Sequence, residues 1–287
     1  MHPLSLPVRA QPARPLRVFA FTSGKGGVGK TNLTVNLAVS WARAGRQVLV
    51  VDGDLGLANV DILLDEAPTH SLRDVLAGTH RASDVLLRSA YGPTLLPGAS
   101  GTATMADLDA AQRMALITAL DGLEEEAATR FDTVLVDTGA GIGRNALFFA
   151  AAAEEVCVVT TPEPTALADA YAAIKSLVRQ CGVRHVALVV NQAAQAADAR
   201  DVYQRLSSVC GRFLPVVLEL AGWVPADPHV HEAVMVQRPV VVQYPTAPAS
   251  RAIVELSDRL LMRTAPRQAS GRLQFFWRRL LGAEDSP

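Results

Sequence analysis

Residues 21–32 read FTSGKGGVGKTN, and this stretch restricts the chain more than any other. Gly24, Gly29, Lys30 and Thr31 fit the spacing G-x-x-x-x-G-K-[ST]. The apolar run LRVFAFT (16–22) precedes it, and a helical pattern follows from about residue 30. A glycine-rich turn between a strand and a helix lets backbone N–H groups close around phosphate oxygens, and the helix N-terminus adds its dipole. The expected cradle comprises Gly24, Lys25, Gly26, Gly27, Val28 and Gly29, with Asn32 in the first helical turn. Lys30 is expected to reach the β- and γ-phosphates, and Thr31 to coordinate Mg²⁺.

Similar apolar runs recur along the chain: QVLVVD (47–52), TLLPG (94–98), DTVLVD (132–137), EVCVVTT (155–161), HVALVVN (185–191) and VVLELAGWV (216–224). They are β-branched and nearly continuous, the pattern of strands covered on both faces. Helical periodicity fills the intervals at roughly 30–44, 105–129, 143–153, 164–180, 196–210, 227–236 and 248–263. The expected fold is α/β: a mostly parallel sheet of seven to eight strands with right-handed crossovers and helices on both faces. No composition break or repeat interrupts 16–263, which reads as one domain. Residues 1–15 carry four prolines and no signal-peptide core, and read as a flexible extension. Pro266 and Gly271 mark 264–271 as a linker to a terminal segment, 272–287.

Two acidic strand ends add to the phosphate loop. Asp137 closes TVLVD (133–137), an arrangement that holds Mg²⁺ through its water shell; a strand-end cap is the alternative. Asp52 and Asp54 stand two residues apart at the end of the second strand. Same-face spacing would aim both carboxylates at the loop's crevice, one to support Mg²⁺ and one to orient an attacking water. Asp61 lies farther out and reads as a loop or capping residue. Lys25, Lys30 and Lys175 are the only lysines, and two of them sit in this loop. Arginine's bulkier fork would not serve at either place. Lys30 has a role already; Lys25 is the additional one.

With that lysine, GKGGVGKT resembles the deviant Walker A motif of the MinD/ParA family of P-loop ATPases. The resemblance implies ATP and Mg²⁺ as cofactors, slow and partner-stimulated hydrolysis to ADP and phosphate, and a face-to-face homodimer around two ATP molecules. It implies that Lys25 crosses to the partner's phosphates, making Lys25, Lys30 and Asp54 the catalytic set. Asp54 would then position the water, and Asp52 would lie beside the Mg²⁺ held by Thr31 and Asp137. Asn191, ending ALVVN, would read adenine, and VPADP (224–228) would close over the base through Pro225 and Asp227.

Within the family, DGDLGLANVDILL (52–64), TTPEPTALADAYAAIKSL (160–177), QRPVVVQYPTAPASRAI (237–253) and LQFFWRRLL (273–281) resemble the flagellar-number regulators, the FlhG/FleN group. That implies a cytoplasmic switch associated peripherally with the inner face of the cell membrane, limiting flagellar number or placement. Implied partners are a signal-recognition-type GTPase, switch-complex or C-ring proteins, and a flagellar transcriptional regulator. The group's DQA-type N-terminal motif does not occur in residues 1–15, so activation of such a GTPase through this N-terminus is not expected.

On a helix, Leu273, Phe276, Trp277, Leu280 and Leu281 share one face, opposite Arg272, Gln274, Arg278 and Arg279; Phe275 falls on the polar side. A basic, aromatic, amphipathic segment too short to span reads as an interfacial membrane anchor, with docking on its own domain or on a partner as alternatives. Burying its apolar side chains yields roughly 6–12 kcal/mol gross. Ordering some ten residues costs about 1–2 kcal/mol each, so one tail binds weakly. Two tails on a dimer gain avidity of about 10²–10⁴.

Other functions fit less well. A formal net charge of -1 and three lysines speak against a ParA-type partitioning ATPase, and no specific nucleic-acid partner is expected. A MinD-type division-site regulator is the other family alternative. Cys157, Cys181 and Cys210 form no C-x-x-C pair, which speaks against an iron–sulfur reductase on this fold and fits a reducing cytoplasm. Cys157, inside EVCVVTT, reads as a core residue.

Overall fold

The computed structural model describes residues 15–98, 108–121, 123, 127 and 129–263. The apolar runs become strands: β1 (Arg17–Ser23), β2 (Val48–Gly53), β3 (Leu87–Arg88), β4 (Thr94–Leu96), β5 (Thr133–Ala140), β6 (Glu155–Thr160), β7 (His185–Ala193) and β8 (Val217–Pro225). The helices are α1 (Lys30–Arg43), α2 (Val60–Leu63), α3 (Leu72–Leu76), α4 (Ala110–Asp121), α5 (Arg144–Ala152), α6 (Pro164–Cys181), α7 (Ala196–Phe213), α8 (Pro228–Met235), α9 (Val240–Gln243) and α10 (Pro248–Met262). One eight-stranded sheet results, ordered β3-β4-β2-β5-β1-β6-β7-β8. Every neighbouring pair is parallel except β3–β4.

The continuous apolar runs follow from burial on both faces. In β1, Phe19 and Phe21 pack on one side with Leu33 and Leu37 of α1 and Ile253, Leu256 and Leu260 of α10. Val18 and Ala20 pack on the other with Phe149 of α5, Ile174 of α6 and Leu206 of α7. The same alternation splits Val48 and Val50 from Leu49 and Val51, and Cys157 from Val156 and Val158. Cys157 is therefore a core residue, and burial pushes its thiol well above its usual range. Trp41 locks α1 to α10: its ring is buried, tilted against Phe19, and its Nε1–H donates to the Ser257 carbonyl at 3.1 Å.

Several elements lie outside the periodic reading. β3 has two residues, and α2, α3 and α9 are single turns, too short to show a period. Within the expected helix at 105–129, the described helix covers Ala110–Asp121. Asp61 does not cap α2; Asn59 occupies the N-cap position and Asp61 lies in the first turn. At the N-terminal end of the strands, Arg17 Nη1 donates to the carbonyls of Leu261 and Arg263, both at 3.1 Å. Arg263 in turn pairs with Glu155 and Glu219. The chain thus reaches residue 263 at the sheet end opposite the phosphate loop. Residues 264–287 lie outside the described residues, and with them the linker and the amphipathic face.

Candidate nucleotide site

Two glycines of the phosphate loop are demanded by their surroundings. A Cβ on Gly24 would overlap the backbone carbonyl of Asp169, so α6 can approach the loop only if residue 24 has no side chain. Gly29, the N-cap of α1, has φ +82°, and a Cβ there would overlap the Asn191 amide. The Asn191 amide Nδ2 donates to the Val28 carbonyl at 2.8 Å, tying the end of β7 to the loop. On the other side Gly141 N–H donates to the Ser23 carbonyl at 2.8 Å, tying the loop to the end of β5.

Lys30, Thr31 and Asp137 meet at the base of this loop. Lys30 Nζ lies 2.7 Å from Asp137 Oδ1, and both side chains are buried. Thr31 Oγ1 donates to Asp137 Oδ2 at 2.7 Å, and Thr34 Oγ1 lies 3.2 Å from Asp137 Oδ1. Thr34 was not among the expected residues, although it follows Lys30 by one helical turn and so shares its face. Asp52 stands opposite Asp137 in the β2–β5 register. Its Oδ1 accepts from Asp54 N–H, and its Oδ2 from Asn59 and Val60 N–H, each at 3.1 Å. Hydroxyl and carboxylate oxygens from Thr31, Asp137 and Asp52 make a hard donor set of the kind Mg²⁺ takes. The glycine cradle above them suits phosphate oxygens.

Asp54 arrives by a different route from the one its spacing implies. β2 ends at Gly53, so a turn, and not strand alternation, places the carboxylate. Its Oδ1 accepts from Leu57 N–H at 3.3 Å. It faces Gly139, where a Cβ would sit 3.6 Å from Asp54 Cγ. The two residues line a cavity of about 370 Å³ together with Gly143 and Asn145.

A second cavity, about 410 Å³, opens beside Gly29 and Asn32. Asn191, Pro225 and Asp227 line it together with Gln192, Val224, His231 and Ile253. Gln192 has φ +56°, which turns the chain away at the end of β7; no sequence signal marks it. Asp227 lines the wall with its carboxylate already engaged as the N-cap of α8. Oδ1 accepts from His229 N–H at 3.0 Å and Oδ2 from Ala249 N–H at 2.9 Å. Lys25 Nζ meets Glu163 Oε2 at 2.7 Å and Thr165 Oγ1 at 3.2 Å, at the start of α6. Leu273, Phe276, Trp277, Leu280 and Leu281 belong to the undescribed tail.

Burial and the neighbouring Asp137 push the Asp52 carboxyl up from its ordinary 3.8 to about 8, against the Val60 and Asp54 N–H groups and Lys30. Unfolded, Asp52 loses its proton near the ordinary value; folded, it keeps it to about 8. Between those values the folded chain binds more protons, so stability falls as pH rises, by about 1.4 kcal/mol per pH unit at most, and levels off above 8. Urea unfolding of Mg²⁺-free protein between pH 5 and 8 should show this decline, and Asp52→Asn should flatten it. Equal slopes in the two proteins would refute the assignment.

A phosphate loop at the C-terminal end of β1, with buried carboxylates of β2 and β5 beside it, defines a P-loop nucleotide-binding site. A family model described as "AAA domain" matches residues 16–182. The solved structure of the septum site-determining protein MinD complexed with Mg-ADP, from Pyrococcus horikoshii, is similar at a TM-score of 0.66 and 26% identity, covering 85% of this chain and 96% of that one. The antiactivator FleN of Pseudomonas aeruginosa is 41% identical over 267 residues, 93% of this chain and 94% of FleN. The flagellum site-determining protein YlxH of Helicobacter pylori is 37% identical over 195 residues, 67% of this chain and 64% of YlxH. The chain belongs to the MinD/ParA family of P-loop ATPases and, within it, to the FlhG/FleN group. Among the described residues, no helix is long and apolar enough to cross a membrane.

Proposed function

We propose that this chain is an ATP-driven dimerisation switch controlling the number or placement of flagella, and that slow, partner-stimulated hydrolysis releases it from dimer and membrane. The observation that carries the switch is Lys25. Lys30 already serves the chain's own loop from below, while Lys25 reaches outward to Glu163, whose side chain is 62% exposed. A surface pair of this kind contributes only about 0–1 kcal/mol, so Lys25 can leave Glu163 cheaply for the phosphates of a second copy. Similarity to FleN and YlxH supports the flagellar reading.

The remaining roles are those the family resemblance implies, and the positions of the side chains support them. Lys30 binds the β- and γ-phosphates, Thr31, Asp137 and Asp52 hold Mg²⁺, and Asp54 orients the attacking water. Asn191 reads adenine, and Pro225 and Asp227 shape the loop beside the base. Mg²⁺, when bound, supplies neutralisation of phosphate charge. Residue 263 lies at the sheet end opposite this site, and in this reading the two tails of an ATP dimer bind lipid together. The flagellar partners named by the resemblance would meet the dimer.

Lys25→Ala should keep ADP affinity within about threefold, a change under roughly 0.7 kcal/mol, and should abolish ATP-induced dimers on a sizing column. An ATP dimer of ordinary stability in that variant would overturn the trans role. Co-sedimentation with anionic vesicles should need ATP and the tail together. Equal binding with ADP, or after truncation at Gly271, would overturn the membrane switch. Cells lacking the protein should change flagellar number and not septum position.

A further inference from the structure

His70, Asp74 and His80 converge around the short helix α3, in the connection between β2 and β3. Ser71 and Asp74 form a capping box: Ser71 Oγ accepts from Arg73 N–H, and Asp74 Oδ2 accepts from Ser71 N–H at 2.8 Å. The chain then folds back on α3, because Thr79 N–H donates to the Asp74 carbonyl at 3.0 Å and His80 N–H reaches it at 3.4 Å. That return stacks the His80 ring on His70, with centroids 3.8 Å apart and planes 28° from parallel. One donor atom from each of the three side chains lies within 4.8 Å of the other two, and all three residues are half-buried.

We propose that His70, Asp74 and His80 form a binding site for a divalent transition-metal ion of the Zn²⁺ class, with water completing the coordination shell. Two imidazoles and one carboxylate make a mixed nitrogen and oxygen set, which suits Zn²⁺, Ni²⁺ or Cu²⁺ and not the all-oxygen shells of Mg²⁺ or Ca²⁺. Holding one ion requires the stacked rings to turn until their nitrogens converge, and the surrounding hydrogen bonds bear on the other ligand atoms. Thr79 Oγ1 donates its one proton to the Asp74 carbonyl at 2.9 Å. With that proton on the Asp74 carbonyl, the hydroxyl accepts from His80 Nδ1–H, 3.2 Å away, the tautomer that leaves the Nε2 lone pair for a metal. The Ser71 N–H in turn fixes the Asp74 carboxylate. Outer hydrogen bonds of this kind set tautomer and orientation at metal sites. None of these residues takes part in the nucleotide site.

Full-length, tag-free protein stripped with EDTA and held without nucleotide should bind one Zn²⁺ per chain in a calorimetric titration. Excess Mg²⁺ should not displace it, and Asp54→Ala should retain it. His70→Gln and His80→Gln should each weaken binding more than about tenfold, and Thr79→Val, which keeps every ligand, by about 10–100-fold. Co²⁺ as a spectroscopic substitute should give visible absorption that disappears in the same histidine variants. Circular dichroism should be unchanged in all of them, since His70 and His80 are only half-buried and Thr79 is exposed. No Zn²⁺ binding, Mg²⁺ competition at equal concentration, or binding unaltered in both histidine variants would overturn the site.

Discussion

Replacing Lys30 by alanine should remove nucleotide binding and also cost the fold about 3–5 kcal/mol, because it strands a buried carboxylate. Asp137 is 1% exposed and Lys30 6%, so solvent cannot take over the missing charge. The Thr31 hydroxyl remains as a donor but carries no charge, and Thr34 divides its one proton between Asp137 and the residue-30 carbonyl. Asp52 lies opposite Asp137 on the neighbouring strand, and Lys30 is the cation that lowers its proton affinity. Without Lys30 the two carboxyls share a dry site with no lysine between them, and the cheapest relief is proton uptake. The deficit should therefore be smaller at pH 5 than at pH 8, as urea unfolding at both values would show. A loss below about 1 kcal/mol at pH 8 would mean that the pair is far better solvated than its geometry implies. The double change Lys30→Met with Asp137→Asn should recover most of the stability, because a neutral pair pays no charge burial. It should recover none of the nucleotide affinity, which separates the structural role of Lys30 from its phosphate role.

The parts of this molecule legible in the sequence are those whose cause is local. Seven of the strands announce themselves as apolar runs: β1, β2 and β6 do not alternate because both faces are buried, while the edge strand β8 exposes Val217 and Glu219. Lys30 and Thr31 are fixed by the strand–turn–helix around them; Asp137 was legible as the end of an apolar run, although β5 continues past it to Ala140. Contacts set by topology were not legible. Glu163 holds Lys25 across 138 residues because β6 lies beside β1, and the same adjacency brings Asp169 against Gly24. Asp54 reached its expected neighbourhood through a turn that two-residue spacing does not encode, since β2 stops at Gly53. The His70–His80 stack depends on a chain reversal at Thr79, again invisible as a period.

Asp54→Ala should lower kcat for ATP by about 10²–10⁴-fold, the usual reach of a positioned acid or base, while ADP affinity stays within about threefold, under roughly 0.7 kcal/mol. The separation follows from how loosely the side chain is built in. Asp54 accepts one long hydrogen bond from Leu57 N–H, whereas Asp137 accepts from Lys30 and the Thr31 and Thr34 hydroxyls. Removing Asp54 therefore leaves the cradle, Lys30 and the Mg²⁺ ligands in place, at a stability cost of about 1 kcal/mol for the turn bond. Asp54→Asn keeps an oxygen for Leu57 but loses the charge that attracts a proton from water. It should match the alanine variant in kcat and the parent protein in stability. Phosphate-release kinetics with calorimetric ADP binding would check both. A variant that hydrolyses normally would move the water-positioning role elsewhere, and one that loses ADP affinity as steeply as kcat would make Asp54 a structural residue. If instead chemistry alone is lost, the proposed switch has ATP-loaded protein accumulate as a dimer on vesicles, because the step proposed to dissolve the pair has been taken away.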